Sequence, residues 1–335
     1  MTMLSIILVN WNGWADTLSC VQSLINSECA EFRVIIVDNM SPNDSLAIFR
    51  SWARREFELL PSAMRIERMS SAGAGIARNL SFCRYIEDRP SFAPLDGEFT
   101  GGSRNGLEIH VVSSGRNGGF GFGCNVGMRL ADALGTSGYW LLNNDCVIAP
   151  HVVSVVAEGV RLRPDIALGT VVRYYDRPGE IQAVGGGWLS RLTGKNIVAT
   201  SLPLNRPLNY IYGASVAFSR QLRERVGYFD ENIFMYYEEM DFSIRTAQAG
   251  FGFDVLPVEI FHRHGGSQGG VSANAWNHVL VNKWYVLHKH YGIGVWCLFF
   301  WVSLIIRCIN PRGAPAAMIG ARRAFSWFMG RKSAK

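Results

Sequence analysis

The chain has 335 residues, of which 48% are hydrophobic and 18% are charged. A chain of this length and composition can bury a large core, which excludes a disordered protein and fits one large domain with extensions or two domains. The formal net charge of +6 arises at the C-terminal end, where residues 307–335 carry seven cations and no acidic side chain. The first 306 residues carry 26 basic and 27 acidic side chains, so a basic surface for nucleic acid is not expected.

Cysteine usage and the first residues bear on the cellular compartment. The seven cysteines are odd in number and form no C-x-x-C pair. This pattern predicts reduced thiols of a cytoplasmic protein and not a disulfide framework or a zinc site. The segment MTMLSIILVN has neither a basic region nor a small-residue cleavage site, so we expect it to form the first core strand and not a signal peptide.

Apolar segments typical of buried strands alternate with amphipathic helical segments along the first half of the chain. In chain order, the pattern predicts a strand at 4–9, a helix at 18–25, strands at 33–38 and 108–112, a helix at about 125–134 and a strand at 139–143. Continuous apolar strands separated by helices indicate an α/β fold, in which a mostly parallel sheet is covered by helices on both faces. Residues 84–107 are rich in proline, glycine and polar residues, and we predict an irregular insertion there.

The C-terminal segment combines an apolar run with uncompensated positive charge. The run IGVWCLFFWVSLII, residues 293–306, is short for a membrane-spanning helix. Its tryptophans and the cations that follow fit a segment lying at an anionic membrane surface. A buried helix with a solvated basic end is the alternative. We therefore predict a main domain over residues 1–292 and a helical, membrane-associating, partly apolar and basic extension over residues 293–335.

Polar side chains follow three of the predicted strands. Turn formation alone can explain such residues, and a ligand crevice along the carboxyl edge of a parallel sheet is the alternative. A carboxylate at the end of the second strand can also accept a hydrogen bond from the imide N–H of a pyrimidine base. The residues are Asn10 and Asn12 after the first strand, Asp38 and Ser41 after the second, and Asn143, Asn144 and Asp145 after the strand at 139–143.

A glycine-rich segment, GRNGGFGFGCNVGM (residues 115–128), lies at the start of a predicted helix. Its glycines permit positive φ angles and a close approach of the backbone to a ligand. The segment lacks the lysine of a P-loop and does not follow the first strand as a Rossmann fingerprint does, so by itself it does not define a site.

The ordered segments VNWNG, VDNMSPNDS, NGGFGFGCNVG, LLNNDC, FMYYEEMDFSIR and FHRHGGS closely resemble family 2 of the glycosyltransferases, which has the GT-A fold. Within it, the chain is similar to the rhamnosyltransferase-like members that build bacterial surface polysaccharides such as the O-antigen of lipopolysaccharide. The resemblance covers residues 3–292. It implies an inverting, metal-dependent enzyme that moves a sugar from a dTDP- or UDP-sugar to a lipid-linked or saccharide acceptor. The first candidate for the sugar is L-rhamnose, carried by dTDP. Such an enzyme is expected to be peripheral at the cytoplasmic face of the inner membrane.

The resemblance also implies a donor site with a divalent cation, Mg²⁺ or Mn²⁺. Asp145 matches the final carboxylate of the family's D-x-D-type motif, whereas Asn143 stands where many relatives have Asp and is therefore a weaker ligand. His262 in FHRHGGS is expected to complete the metal or diphosphate site. The remaining motifs imply that the nucleotide-sugar is bound by Asn10, Asn12, Asp38, Ser41, Gly119, Phe120, Asn125, Asn143 and Asn144.

The acidic segment YYEEMDFSIR begins a predicted helix that ends at Gly250. Acids in a first helical turn commonly do no more than complement the macrodipole. By resemblance, however, this is the family's E-D motif, whose second acid is the catalytic base. We expect Glu239 to be that base, with Glu238 and Asp241 in support, and Asp241 to pair with Arg245 one turn later.

The resemblance implies that Gly213, Ala214 and Asp230 lie near the acceptor.

Two other functions are possible for such a sheet. A nucleotidylyltransferase would share the sheet but should have a basic, glycine-rich loop after the first strand, where VNWNGWAD has no lysine or arginine. A non-catalytic nucleotide-sugar binding module would keep the crevice and lose the acids, which are present at positions 145, 238, 239 and 241.

Overall fold

The structure, a computed structural model, describes residues 3–29, 31–54, 78–88, 90–99, 107–191, 194–263 and 273–292. The predicted extension over 293–335 therefore lies outside the described residues. In chain order the elements are β1 (Leu4–Asn10), α1 (Trp14–Ile25), β2 (Phe32–Asp38), α2 (Ser45–Ala53), β3 (Arg78–Ile86), β4 (Ser91–Phe99), β5 (Leu107–Ser113), α3 (Phe120–Ala133), β6 (Gly138–Leu142), β7 (Cys146–Ile148), α4 (Val152–Leu162), β8 (Ile166–Tyr174), β9 (Ile181–Val184), β10 (Gly186–Leu189), β11 (Asn196–Val198), β12 (Tyr210–Ile211), β13 (Ser215–Ser219), α5 (Arg220–Val226), α6 (Glu238–Gln248), β14 (Gly252–His262) and α7 (Ala273–Tyr291).

A single large sheet organises these elements. Within the described ranges the strand order is β11-β10-β9-β8-β13-β6-β1-β2-β5-β3-β4, with β12 on β10 and β14 on β7 and β8. The centre, β6-β1-β2-β5-β3, is parallel; its strands β6, β1, β2 and β5 were predicted from the sequence and β3 was not. Beyond it β13, β9 and β10 add antiparallel pairs. The single residue between β9 and β10 is too short to cross over to a parallel pair. The α/β class is thus confirmed, with a sheet that is mixed outside its parallel centre.

Helices cover both faces of the sheet, as the continuous apolar strands predicted. Every residue of β1 is buried, and its side chains alternate between two cores. Ile6 and Leu8 pack in one core with α1, α2 and α4, whereas Ile7 and Val9 pack in the other with α3 and α5. The N-terminal segment is therefore a core strand, in agreement with the prediction. This burial on two faces holds the carboxyl edge of the sheet rigid.

The predicted irregular insertion at 84–107 contains regular structure where the chain is described. The end of β3 and all of β4 fall in this range, and the two strands form an antiparallel pair. The proline content misled the prediction, because Pro94 is tolerated in β4, which pairs with β3 at the edge of the sheet. Phe92 packs against Tyr85 across this pair with ring centroids 5.5 Å apart, and Tyr85 packs against Phe122 of α3 with ring centroids 6.3 Å apart, which fixes the pair on the domain.

The last described helix, α7, packs beside α6. Val286 of α7 shares a buried cluster with Tyr237, Met240 and Ile244 at and within α6. α7 therefore supports the helix that carries the predicted catalytic acids.

None of the helices in the described ranges is long and apolar enough to cross a membrane.

Candidate active site

The carboxyl ends of β1 and β2 hold a polar cluster. Parallel pairing places Asn10 opposite Asp38, and Asn10 Nδ2 donates to Asp38 Oδ1 at 2.8 Å. Ser41 Oγ donates to the same carboxylate oxygen at 2.6 Å and accepts from the backbone N–H of Asn12 at 3.0 Å. The structure thus brings four of the predicted donor-binding residues together at one edge of the sheet.

Thr17, which the sequence did not single out, links this cluster to the end of β6. Its hydroxyl donates to Asn10 Oδ1 at 2.9 Å and accepts from Asn144 Nδ2 at 2.8 Å. Thr17 is fully buried on the inner face of α1. A polar residue on a face that is otherwise apolar was the available signal, although threonine commonly satisfies itself on the helix backbone, as Thr17 also does with the carbonyl of Gly13.

A second polar group lies where β6 and β14 end. His262 closes β14, which pairs with β7 so that His262 faces Cys146. His262 Nε2 lies 3.1 Å from Asp145 Oδ1 and 3.2 Å from Asn143 Nδ2. The three residues predicted to hold a metal are therefore in contact, although the chain separates His262 from the other two.

Gln182 of β9 fixes the orientation of the imidazole. Gln182 Nε2 donates to the hydroxyl of Tyr212 at 3.2 Å, which turns its Oε1 toward His262 Nδ1 at 2.9 Å. With the Gln182 amide in this orientation, Nδ1 of His262 carries a proton and donates to Gln182 Oε1. Nε2 is then an acceptor that lies between Asn143 Nδ2, which can donate to it, and the carboxylate of Asp145, so two acceptors approach each other unless a second proton or a cation lies between Nε2 and Oδ1.

The donor set fits a cation that prefers oxygen and nitrogen ligands. A carboxylate oxygen of Asp145 and the ring nitrogen of His262 are typical ligands, and a 180° rotation of the Asn143 amide would present a third. Cys146 Sγ also lies within 4.8 Å of these ligand atoms. Burial raises the pKa of the Cys146 thiol well above its usual value, and Sγ contacts the carbonyl of Ala214 at 3.9 Å, so Cys146 is a poorer ligand than the carboxylate and the imidazole. Mg²⁺ or Mn²⁺ suits such a site better than a thiolate-bound metal.

The glycine-rich segment packs against the loop before α6. Gly119 has a φ of 88°, and a Cβ there would lie 1.9 Å from the carbonyl oxygen of Phe234, so only glycine fits. The backbone N–H of Phe120 donates to that same carbonyl at 3.0 Å. The carbonyl of Gly119 accepts from Asn39 Nδ2 at 3.0 Å, which connects the segment to the end of β2.

Asn125 has a different contact from the one predicted. Its side chain is fully buried, and its amide exchanges hydrogen bonds with the backbone N–H and carbonyl of Phe229 at 2.9 and 3.0 Å. It also donates to Glu231 at 2.8 Å. Asn125 therefore holds the loop 229–231 onto α3, and the structure gives it no face toward the polar clusters described above.

Glu238 and Glu239 open α6 after a strained turn. Tyr236 and Tyr237 have φ angles of 67° and 75°, a left-handed conformation that costs about 1–2 kcal/mol for each bulky residue. Glu238 is buried, and its Oε2 has no hydrogen-bond partner. Burial and the neighbouring charge of Glu239 raise the pKa of Glu238 well above its usual range, whereas burial raises the pKa of Glu239 to about 7. Near neutral pH the first acid is protonated and the second is poised to accept a proton.

The segment 212–214 connects Glu239 with the proposed metal ligands. A Cβ on Gly213 would lie 3.7 Å from Cγ and Cδ of Glu239, so the absence of a side chain leaves room beside the carboxylate. The carbonyl of the next residue, Ala214, accepts from the backbone N–H of Asn143 at 3.0 Å. Burial and the charge of Glu239 together raise the pKa of Tyr212, whose hydroxyl contacts Gln182. Gly213 and Ala214 therefore lie between the two chemical groups.

Asp241 and Asp230 serve a different purpose from Glu239. Asp241 is fully buried and accepts from Arg245 at 2.9 Å, as predicted, and from Lys289 and His290 of α7 at 2.7 and 2.8 Å. Burial raises the pKa of Asp241, but these partners outweigh it and hold the pKa below its usual value. Asp230 likewise accepts from Lys289 at 2.8 Å and from Tyr285 at 2.5 Å. Both carboxylates join α7 to the domain and are neutralised by it.

Comparison with known proteins agrees with this architecture. Residues 5–83 match the model of the family described as glycosyl transferase family 2. The low-salt glycan biosynthesis hexosyltransferase Agl10 of Haloferax volcanii is 27% identical over 159 residues, which cover 42% of this chain and 46% of the relative. The matched part therefore spans about half the length of that curated relative.

Three solved structures are similar in fold. GalNAc-T7 with UDP, GalNAc and Mn²⁺ has a TM-score of 0.59 at 12% identity, over 90% of this chain and 50% of that one. TarS of S. aureus has a TM-score of 0.51 at 14% identity, over 85% and 39% of the two chains. The mannosyltransferase PcManGT from Pyrobaculum calidifontis, in complex with GDP-Man and Mn²⁺, has a TM-score of 0.50 at 12% identity, over 96% and 75%.

These findings establish the GT-A-type fold expected from the sequence. The family match and the curated relative support a glycosyltransferase as the class of protein. Within this class, residues 5–83 are similar to the family described as glycosyl transferase family 2.

Proposed function

We propose that this protein transfers a sugar from a nucleotide-sugar donor to a hydroxyl group of a saccharide acceptor. The observation that carries the proposal is the link from the Asp145–His262 pair, through segment 212–214, to Glu239. A cation-binding group and a carboxylate with a pKa of about 7 are thereby held on either side of one short segment. Glycosyl transfer needs both, because the leaving group is a diphosphate and the attacking group is a weakly nucleophilic hydroxyl.

The donor side is supported by the polar cluster at the ends of β1 and β2. Asp38 accepts from Asn10 and Ser41, which orients its carboxylate to receive the imide N–H of a pyrimidine. A dTDP- or UDP-sugar fits this group, and dTDP-L-rhamnose is the first candidate from the sequence resemblance. GalNAc-T7 with UDP and PcManGT with GDP-Man, both with Mn²⁺, support the use of a nucleotide donor and a divalent cation.

The chemistry is a single displacement that inverts the anomeric carbon. Asp145 and His262 would hold Mg²⁺ or Mn²⁺, with Asn143 as a weaker ligand, and a cation bound there would neutralise charge on the diphosphate. Glu239 accepts the proton of the acceptor hydroxyl as the hydroxyl oxygen attacks the anomeric carbon and the bond from that carbon to the nucleoside diphosphate breaks. Glu238 stays protonated beside it, so the negative charge of the pair remains on Glu239.

The acceptor is proposed to be lipid-linked. The support comes from the sequence, in which the apolar run 293–306 is followed by seven cations. Such a segment fits a peripheral protein at an anionic membrane surface, and we propose the cytoplasmic face of the inner membrane as that surface. Assembly of a cell-surface polysaccharide of the O-antigen type is the process that we propose for it.

The test is a screen of dTDP-, UDP- and GDP-sugars for thermal stabilisation with Mn²⁺, followed by transfer assays with the best donor. We expect Glu239→Gln to lower kcat by about 10²- to 10⁴-fold while the donor Kd stays unchanged, as for a positioned base. Glu224→Gln, at an exposed ion pair with Arg220, is the matched control. Normal turnover by Glu239→Gln would place the base elsewhere, and no stabilisation by any nucleotide sugar would reject the proposed function.

A further inference from the structure

Helix α7 contacts the strained turn that precedes the two glutamates. Asn282 Nδ2 donates to the backbone carbonyl of Met235 at 2.8 Å and to that of Tyr236 at 3.1 Å. These carbonyls belong to the peptide groups on either side of Tyr236, which is the first of the two residues with positive φ. Asn282 is only 5% exposed, so solvent is a poor substitute for its amide.

We propose that Asn282 is a positioning residue that acts through the turn to set the place of the Glu239 carboxylate. Tyr237 occupies the N-cap position of α6, which begins at Glu238, and Glu239 lies in the first turn of that helix. The direction in which α6 starts therefore depends on the left-handed turn. Bulky residues leave this conformation unless their surroundings hold them in it. The inference rests on the proposed function, because it takes Glu239 to be the base.

Other contacts hold the two ends of the turn, and Asn282 holds its middle. Before the turn, the carbonyl of Phe234 accepts from the N–H of Phe120 at 3.0 Å. After it, the hydroxyl of Tyr237 donates to the carbonyl of Gly194 at 2.9 Å. With both ends fixed, loss of the Asn282 amide should let the peptide groups around Tyr236 rotate while the fold around them persists.

The experiment compares three variants of the full chain. Asn282→Asp keeps the size and removes the donor, Asn282→Gln keeps the donor on a longer side chain, and Lys289→Met removes a different link between α7 and α6. We expect Asn282→Asp to lower kcat by about 10²-fold, the effect of a small misplacement of a catalytic group, with donor and Mn²⁺ affinities unchanged. Asn282→Gln should recover part of the rate, and Lys289→Met should lower the melting temperature with a smaller effect on kcat.

Two further readouts distinguish positioning from a general structural role. Glu239 is surrounded by Glu238 and by Tyr210, Tyr212 and Tyr237. Release of the turn should expose Glu239 to water and move the acidic limb of the pH–rate profile to lower pH. Amide hydrogen exchange over residues 234–237, which contain the carbonyls that Asn282 binds and no partner of Lys289, should become faster in Asn282→Asp and change less in Lys289→Met.

Unchanged kcat and unchanged exchange in Asn282→Asp would overturn the inference. Equal losses of kcat, donor affinity and melting temperature in Asn282→Asp and Lys289→Met would overturn it too, because α7 would then only support the fold. If the wild-type protein transfers sugar from none of the donors, the proposed function fails by itself. Hydrogen exchange then decides whether Asn282 holds the turn.

Discussion

His262 and Asp145 place two acceptor atoms, Nε2 and Oδ1, 3.1 Å apart at the carboxyl edge of the sheet. Two lone pairs repel each other at this distance in a nearly buried site. The geometry becomes favourable when a second proton or a cation is shared between the atoms, which meet because β14 ends opposite the start of β7. The consequences can be measured without any assumption about the sugar that is transferred.

The first prediction concerns Asp145. Asp145→Asn removes the charge that offsets the cation, so Mn²⁺ titrated by calorimetry with a nucleoside diphosphate present should bind at least about 10-fold more weakly. EDTA should abolish transfer by the wild-type protein. Asp254→Asn, at an exposed ion pair with Arg163, serves as the control. Full activity in chelator would contradict the metal assignment.

The second prediction concerns Gln182, which orients the imidazole from β9. Gln182→Leu removes the acceptor for His262 Nδ1, and Mn²⁺ affinity should fall about 10- to 100-fold, as is typical when the partner of a ligating histidine is lost. Gln182→Glu keeps an acceptor at the same position and should retain most of the affinity. If both variants bind Mn²⁺ as the wild type does, Gln182 has no part in the site.

The third prediction follows from the raised pKa of Glu239. A general base works only when it is deprotonated, so kcat/KM should rise with pH and level off above about 7. Below that pH, the rate should fall about tenfold for each pH unit. Burial and the charge of Glu239 keep Glu238 protonated at neutral pH, so Glu238→Gln should leave the pH at which the rate falls nearly unchanged. Any shift of that pH should be small and downward, because the variant removes a neighbouring acid. A rate that is independent of pH between 5 and 8 would contradict the assignment of Glu239.

The sequence was sufficient to predict four of the five strands in the parallel centre of the sheet, all but β3, and the cluster at the edge of the sheet. Parallel strands end at the same edge, so polar residues after two such strands, Asn10 and Asp38, had to be neighbours once both strands were recognised. The contact of Asn143 and Asp145 with His262 was predictable only through the family resemblance. It depends on the pairing of β14 with β7, and that pairing leaves no periodic signal in the sequence.

Other residues could not be assigned from the sequence because their partners lie far along the chain. Asn125 belongs to a glycine-rich helix start, where the pattern cannot distinguish a side chain facing a ligand from one facing the loop at Phe229. Asp230 and Asp241 look like site acids in the sequence. Only the packing of α7 shows that Lys289 neutralises both of them.

The fourth prediction concerns Asp241. Asp241→Asn leaves Arg245, Lys289 and His290 around a neutral amide, and removal of one partner from a buried ion pair typically costs about 3–5 kcal/mol of unfolding free energy. The folded pKa of Asp241 is lowered, so its contribution is present above the ordinary carboxyl pKa and is lost as pH falls through the lower folded value. Urea unfolding at several pH values measures both effects. A change no larger than that of Glu224→Gln would contradict the assigned role.

The fifth prediction concerns the segment after α7. A protein truncated after Gly292 lacks the apolar run 293–306 and all seven cations that follow it. Each cation near an anionic surface contributes about 1 kcal/mol, so the full chain should sediment with vesicles containing phosphatidylglycerol and the truncated chain should stay in the supernatant. High salt should release the full chain only in part, because the burial of apolar side chains is not screened.

Transfer to a short, water-soluble acceptor should persist after truncation, since the described contacts of Asp145, His262 and Glu239 are all made by residues up to 292. Equal sedimentation of the two proteins with anionic vesicles would show that the membrane contact lies elsewhere, and failure of the full chain to sediment would show that it does not exist.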